Sequence, residues 1–216
     1  MNIHIRKEKE TDHRLVEELT REAFWNLFVP GCDEHYLVHI LRGHPDFIHD
    51  LNLVAEHDGQ VIGNIMFTRS SVSDGEGNQM DTITFGPVSV LPEFQRKGIG
   101  SALISHAIEI AMKNGENAIL IYGHPKNYCK HGFRSCRDFQ ITDPAGRYPF
   151  GLLVRELKDG VLDGGKDGKP RKFFPSSVYD VDQEAAKTFD EGFPPKPKES
   201  TISQVEFGIA FRAFID

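Results

Sequence analysis

Cysteine is scarce. Cys32, Cys129 and Cys136 are the only three among 216 residues, and no two form a Cys-x-x-Cys pair, which argues against both a disulfide framework and a zinc knuckle. Free thiols are the reading, and no metal ligand set is assigned. Long apolar runs are missing as well: no window approaches the ~18 consecutive apolar residues of a membrane span. The chain opens Met1-Asn2-Ile3-His4, a strand-like alternation and not a basic then apolar signal segment. A cytoplasmic protein with no membrane partner is expected. Positive charge is in deficit. A formal net charge of -7 argues against a nucleic-acid partner held by a basic face, so any anionic ligand must be held locally. Two phosphate-binding motifs are also absent. Gly-x-x-x-x-Gly-Lys-Ser/Thr does not occur, and the dinucleotide fingerprint would need a third glycine where Leu103 stands. ATP and NAD sites are disfavoured.

What remains is an ordinary globular composition, long enough for one sizeable core or one core plus an appendage. Ile3 and Ile5 alternate with polar neighbours. Thr11-Asp12 then precedes Leu15, Val16, Leu19, Ala23 and Leu27, spaced for one helix face. A second helix is expected over 33–42, with Leu37, Ile40 and Leu41 on one face and Gly43-His44-Pro45 ending it. Three antiparallel strands follow. Leu51, Leu53 and Ala55 alternate, Asp58-Gly59 signals a hairpin into 61–67, and the turn at 74–78 leads to Ile83, Phe85, Val88 and Val90.

From Gly98 onward, Ile99, Ala102, Leu103, Ala107, Ile110 and Ala111 share one helix face, opposite Ser101, Ser105, Glu109 and Lys113. Asn114-Gly115 stops this helix. Residues 118–122, Ala-Ile-Leu-Ile-Tyr, form the nearly all-apolar run of a strand buried on both faces. Strand, helix, strand implies parallel pairing. The expected fold class is α/β in the mixed (α+β) sense, an antiparallel meander that gains a parallel strand after the central helix.

The junction Leu91-Pro92-Glu93-Phe94-Gln95-Arg96-Lys97-Gly98-Ile99-Gly100 puts glycines at a helix start, where unpaired amides and the positive end of the helix dipole favour an anion. A lone Gly-x-Gly would be no more than a packing turn. The longer stretch 88–104, with Gln95-Arg96-Lys97-Gly98-Ile99-Gly100 after a strand end and before a helix, resembles the acetyl-CoA signature of the GNAT acyltransferase superfamily. The resemblance covers residues 1 to about 156. It implies that the strands at 90 and 119–122 splay and that acyl-CoA lies between them. Backbone groups of Val88, Ser89 and Val90 would pair with the pantetheine arm and thioester carbonyl. Amides of Arg96, Lys97, Gly98, Ile99, Gly100 and Ser101 would cradle the pyrophosphate. Backbone amides carry no side-chain identity, so small residues matter more here than any one charge.

The stretch Gly123-His124-Pro125-Lys126-Asn127-Tyr128-Cys129-Lys130-His131-Gly132-Phe133 is similar to the same family's Tyr-x-x-x-Gly-Phe segment, which implies that Tyr128 reaches the CoA sulfur. Amine acylation expels a thiolate, and a phenol within hydrogen-bond reach can protonate it. Other members place Glu or His on the strand before the signature, but Thr82, Thr84, Phe85 and Gly86 stand there in this chain. A water held by Thr84, Ser89 or strand carbonyls is the first choice of base, and His124 the second.

His35 and His39 have the i, i+4 spacing of a metal clamp but lack a convincing third ligand, so solvated histidines near an acceptor pocket are expected. After 157 the chain turns loop-like at 158–170 and again at 190–198, and Val205 to Phe211 alternate like a strand. Length and order resemble the YhbS-like branch of the superfamily. Two segments are expected: a GNAT-like domain at 1–156, and an extension at 157–216 packed on it through Phe173, Phe174, Phe193, Phe207 and Phe211. The expected activity is transfer of an acetyl group from acetyl-CoA to a small amine or peptide acceptor. A non-catalytic acyl-CoA sensor, an interaction module and a homodimer remain open.

Overall fold

The computed structural model describes residues 1–74, 76–162 and 169–216. The expected turn through Gly75 and the expected loop through 163–168 fall partly outside them. The chain divides into two compact units, one of Met1–Phe67, Gly86–Ala107 and Ser177–Phe207, the other of Thr68–Phe85, Ile108–Ser176 and Gly208–Asp216. The fold is mixed α/β, and residues after 157 contribute to both units.

In the first unit β1 (His4–Lys7) pairs antiparallel with β2 (Leu53–His57), from His4 opposite Glu56 to Lys7 opposite Leu53. β2 pairs antiparallel with β3 (Gln60–Ser73) across Asp58 and Gly59, both at positive φ (50° and 80°), which is why the Asp-Gly dipeptide makes this hairpin. The end of β4 (Gln79–Val90) lies beside β3, and Leu91 N–H donates to Ile62 C=O at 2.9 Å.

Helices α1 (His13–Phe24) and α2 (Glu34–Leu41) pack Val16, Leu19, Leu37, Val38 and Leu41 against Val54, Val61 and Met66. The face of α1 is rotated from the expected one. Leu15 is 49% exposed, whereas Thr20 and Arg21 are buried, because both make polar bonds inside this unit that outweigh one leucine. Asp12 precedes α1 as expected, but its side chain does not cap the helix: it accepts from Arg6 (2.6 Å) and from the Lys9 amide (2.8 Å).

In the second unit β4 meets β5 (Ala118–Tyr122) in parallel at Ile83 and Ile119, confirming the crossover through α3 (Ile99–Lys113). Short α4 (Pro125–Tyr128) and β6 (Arg134–Ser135) follow; β8 (Leu152–Glu156) pairs antiparallel with β5 and with β6. Beyond them β9 (Arg171–Phe174) pairs with the end of β3 and, in parallel, with β7 (Ile141–Thr142). Leu120, Cys136, Ile141, Val154 and Phe173 form this unit's core. Along α3 the buried stripe is Ile99, Leu103, Ile104, Ala107, Ile108 and Ala111, while Ala102 is exposed. The larger Ile104 and Ile108 take the inner positions.

Two expectations for the tail are corrected. Residues 205–211 are not a strand: they lie in α6 (Ile202–Arg212), after α5 (Gln183–Asp190). A short alternating apolar run does not distinguish the two states. Here Gln204 and Ser203 side chains bond the carbonyls of Asn26 and Leu27, and Phe207 stacks on Phe28 with centroids 4.4 Å apart. Of the five phenylalanines expected to be covered, Phe173 and Phe193 are buried, but Phe174 is 41% and Phe211 64% exposed.

Candidate active site

The Gln95-to-Gly100 stretch is a turn built from backbone. β4 ends at Val90, Pro92–Phe94 makes one 3-10 turn, and the Gln95 side-chain amide donates to Val90 C=O at 3.0 Å. Arg96 and Gly98 both adopt positive φ, 60° and 88°. Positive φ alternating with ordinary backbone turns successive amides toward one concavity. The first helical bond of α3 runs from Ala102 N–H to Gly98 C=O at 2.9 Å. The amides of Ile99, Gly100 and Ser101 therefore lie ahead of the ladder and have no intrahelical acceptor. A Cβ at Gly98 would meet nothing within 4 Å, so the space over this turn is open. Arg96 and Lys97 are exposed beside it.

Val88 and Val90 point toward the first turn of α3, their methyls 4.0 and 3.8 Å from where a Gly100 Cβ would stand. Ser89 points the opposite way. Its hydroxyl, in a residue 1% exposed, donates to Thr20 Oγ1 at 3.1 Å, and Thr20 in turn reaches Asn64 Oδ1 at 3.3 Å. Sequence reading missed Gly63, where a Cβ would sit 2.9 Å from Ser89 C=O and 3.3 Å from Leu103. Only glycine lets β3 approach β4 this closely. A glycine inside a strand pattern was the available signal.

In the other unit, β5 leads through Gly123 into α4. His124 caps that helix, its Nδ1 accepting from the Lys126 amide at 3.2 Å, and Pro125 occupies the first helical position. Tyr128 ends α4, half-buried between Phe85 and Phe133 with centroids 5.8 and 6.0 Å away. Burial holds its phenol above the ordinary tyrosine value, so it stays protonated at neutral pH. On β4, Thr82 is committed to Ser70 at 2.8 Å, but the buried Thr84 hydroxyl has no hydrogen-bond partner among the described residues. Such a group marks a place for a water or a ligand.

The histidine expectation needs correction. His35 is not solvated but fully buried, its Nδ1 3.5 Å from Cys32 Sγ and its Nε2 3.0 Å from Asp190, whose carboxylate accepts from Arg21 at 2.6 Å. Burial lowers the His35 pKa to about 4 and pushes the Cys32 thiol up, so neither serves as an exposed base or nucleophile. His39 is half-exposed and pairs with Glu17 at 2.9 Å. Sequence reading also passed over Glu34, whose carboxyl is pushed up to about 7, first by burial and then by the charge of Asp33. Among the described residues no group of three His, Cys, Asp or Glu could hold a metal ion, and no helix is long and apolar enough to cross a membrane.

Residues 49–135, which contain the whole turn and Tyr128, match the acetyltransferase (GNAT) domain model. That stretch is similar to the GNAT acetyltransferase domain. Over 86 residues it is 35% identical to the uncharacterized N-acetyltransferase YjhQ of Escherichia coli K12, a match covering 40% of this chain and 47% of that protein. The chain thus spans about half the length of this curated relative. The fold is similar to that of YhbS from Escherichia coli, solved with CoA (TM-score 0.69, 23% identity, 84% of this chain and 93% of that one). It is also similar to a GNAT acetyltransferase from Brucella melitensis solved with acetyl-CoA (TM-score 0.63, 26% identity, 82% and 98%).

Proposed function

We propose that the protein is an acetyl-CoA-dependent N-acetyltransferase that acylates a primary amine by direct attack. The observation that carries this reading is the turn at 96–101. It has two positive-φ residues, amides ahead of the helix ladder and open space over Gly98, inside the stretch that matches the GNAT domain. That backbone fits a pyrophosphate, because oriented N–H groups and the helix dipole both favour an anion and no side chain stands in the way. Arg96 and Lys97 add positive potential. Val88, Ser89 and Val90 offer strand backbone to the pantetheine arm and the thioester carbonyl.

The acceptor must lose a proton, since a lysine-like amine of pKa ~10.4 is almost wholly charged at pH 7. A water on the unpartnered Thr84 hydroxyl is our choice for accepting it. The Ser89 hydroxyl is already engaged with Thr20, so Ser89 serves chiefly through its backbone. His124 is the second choice, with Nδ1 spent on its cap. The neutral amine attacks the thioester carbon, the C–S bond breaks, and Tyr128 gives its proton to the departing sulfur. The products are an amide and CoA thiol, and Tyr128 recovers its proton from solvent. Support for Tyr128 comes from the family resemblance and from its protonated, half-buried phenol. The test is a screen of amines, amino acids and peptides for free-thiol release from acetyl-CoA, run beside a calorimetric CoA titration. Thiol release that depends on an amine is expected; tight CoA binding with no acceptor across a broad screen would favour a sensor instead.

A further inference from the structure

Ser89, Thr20 and Asn64 form a line of polar side chains closed off from water inside the first unit, 1%, 0% and 0% exposed. Ser89 donates to Thr20 Oγ1 and Thr20 donates to Asn64 Oδ1, so both hydroxyl protons point toward the amide. The line ends there. Asn64 Nδ2 is buried with no hydrogen-bond partner among the described residues, which lowers stability and which apolar side chains of similar size would avoid. An amide neither takes nor releases a proton at neutral pH, so this line cannot carry off the proton of an attacking amine. What it can do is hold Ser89 still.

Ser89 is held from the sheet side as well. Its C=O is turned toward β3 and stands 2.9 Å from where a Gly63 Cβ would be, and two residues on Leu91 N–H donates to Ile62 C=O at 2.9 Å. A trans peptide points its N–H opposite its C=O, so the Val90 N–H is directed away from β3. The Val90 C=O is fixed separately, by the Gln95 side chain. The tilt of the Ser89–Val90 peptide thus sets the aim of the Val90 N–H, and the bond from Ser89 to Thr20 secures that tilt from α1.

We infer that Thr20 is a positioning residue for the acyl group: through the Ser89 hydroxyl it fixes the peptide whose Val90 N–H binds the thioester carbonyl of acetyl-CoA. The inference rests on the acetyltransferase reading. The turn at 96–101 would hold the pyrophosphate whether or not Thr20 keeps its hydroxyl, so the loss should be felt by acetyl-CoA and not by CoA.

The test is calorimetric titration of the parent and of Thr20→Val with acetyl-CoA and with CoA. Thr20→Val should weaken acetyl-CoA about fivefold, the worth of one disturbed hydrogen bond, and leave CoA within about twofold of the parent. With an accepted amine, kcat should fall roughly tenfold or more, as misplacement of a reacting group causes. Thr20→Ser keeps the hydroxyl and should restore both. Leu19→Ala, at a buried neighbour on α1, should lower the melting temperature and change neither. Ser89→Ala should reproduce the acetyl-CoA loss, and the double variant with Thr20→Val should lose no more than either single variant. If Thr20→Val does not fold, Thr20→Ala takes its place. Parental affinity for acetyl-CoA in the Thr20 variant, an equal loss in Leu19→Ala, or additive losses in the double variant overturns the inference. A parent that binds both ligands but acylates no amine sinks the acetyltransferase reading alone, and the titrations still decide Thr20; a parent that binds neither sinks both.

Discussion

The Tyr128 ring lies directly over Gly123: a Cβ at Gly123 would overlap its Cε2 and stand 2.9 Å from Cδ2. The glycine thus sets where the phenol sits at the end of α4. Tyr128→Phe should keep the fold and CoA affinity while lowering kcat roughly 10²-fold, as loss of a general acid does. Gly123→Ala should also lower kcat, by displacing the ring. Steady-state kinetics beside CoA titration check both; a Tyr128→Phe enzyme as fast as the parent would make Tyr128 a packing ring.

Thr84 separates a proton path from a structural hydroxyl. Removing a buried, unpartnered hydroxyl costs no protein hydrogen bond, so Thr84→Val should leave the melting temperature unchanged or raise it. If that hydroxyl holds the water that receives the amine proton, kcat should still fall roughly tenfold at neutral pH. Equal turnover at equal stability would move the base elsewhere.

At Gly98 the prediction concerns affinity. The side chain of Gly98→Glu has room, so the protein should fold, with a penalty of about 1–2 kcal/mol for positive φ. The carboxylate then sits in an anion cradle and should abolish measurable CoA binding. Unchanged affinity in a folded variant would show that the pyrophosphate lies elsewhere.

His35 and Glu34 should give opposing pH dependences. Burial lowers His35 from 6.5 to about 4, so the unfolded chain binds more protons between those values and acidification from pH 6.5 to 4 removes stability. Glu34 is raised from 4.5 to about 7, so the folded chain binds more protons there and acidification from pH 7 to 4.5 adds stability. Each contributes at most on the order of 3 kcal/mol. The melting temperature of the parent should change little across this window through these two groups. His35→Gln should make the protein more stable on acidification, and Glu34→Gln less. Parallel slopes in the two variants would refute the assignment.

A chain ending at Leu157 should aggregate or melt far lower than the parent. It would lose Phe173 from one unit's core and Val178 and Phe193 from the other unit's interior, each large apolar truncation costing about 3–5 kcal/mol. It would also strip Arg21 of Asp190. Light scattering and thermal unfolding of the truncated protein are the measurements.

Residues 53–122 could be read from the sequence almost element by element, because strand alternation, the Asp58-Gly59 turn and the helix after Gly98 are set by neighbours within a few residues. The backbone cradle was legible for the same reason: positive φ and a helix start are local properties that glycine announces. Local pattern could not supply the partners of polar groups. Arg21 and Asp190 are 169 positions apart, and His35 is buried against Phe189 and Phe193, more than 150 positions away in sequence. Nor could it choose helix over strand for 202–212, where bonds to the carbonyls of Asn26 and Leu27 decide. The Thr84 hydroxyl without a partner and the close approach at Gly63 exist only once distant segments meet. The sequence determined the positive-φ turn ahead of α3, because glycine and helix-start signals are local; tertiary packing decided which polar side chains found partners, because those partners come from distant segments.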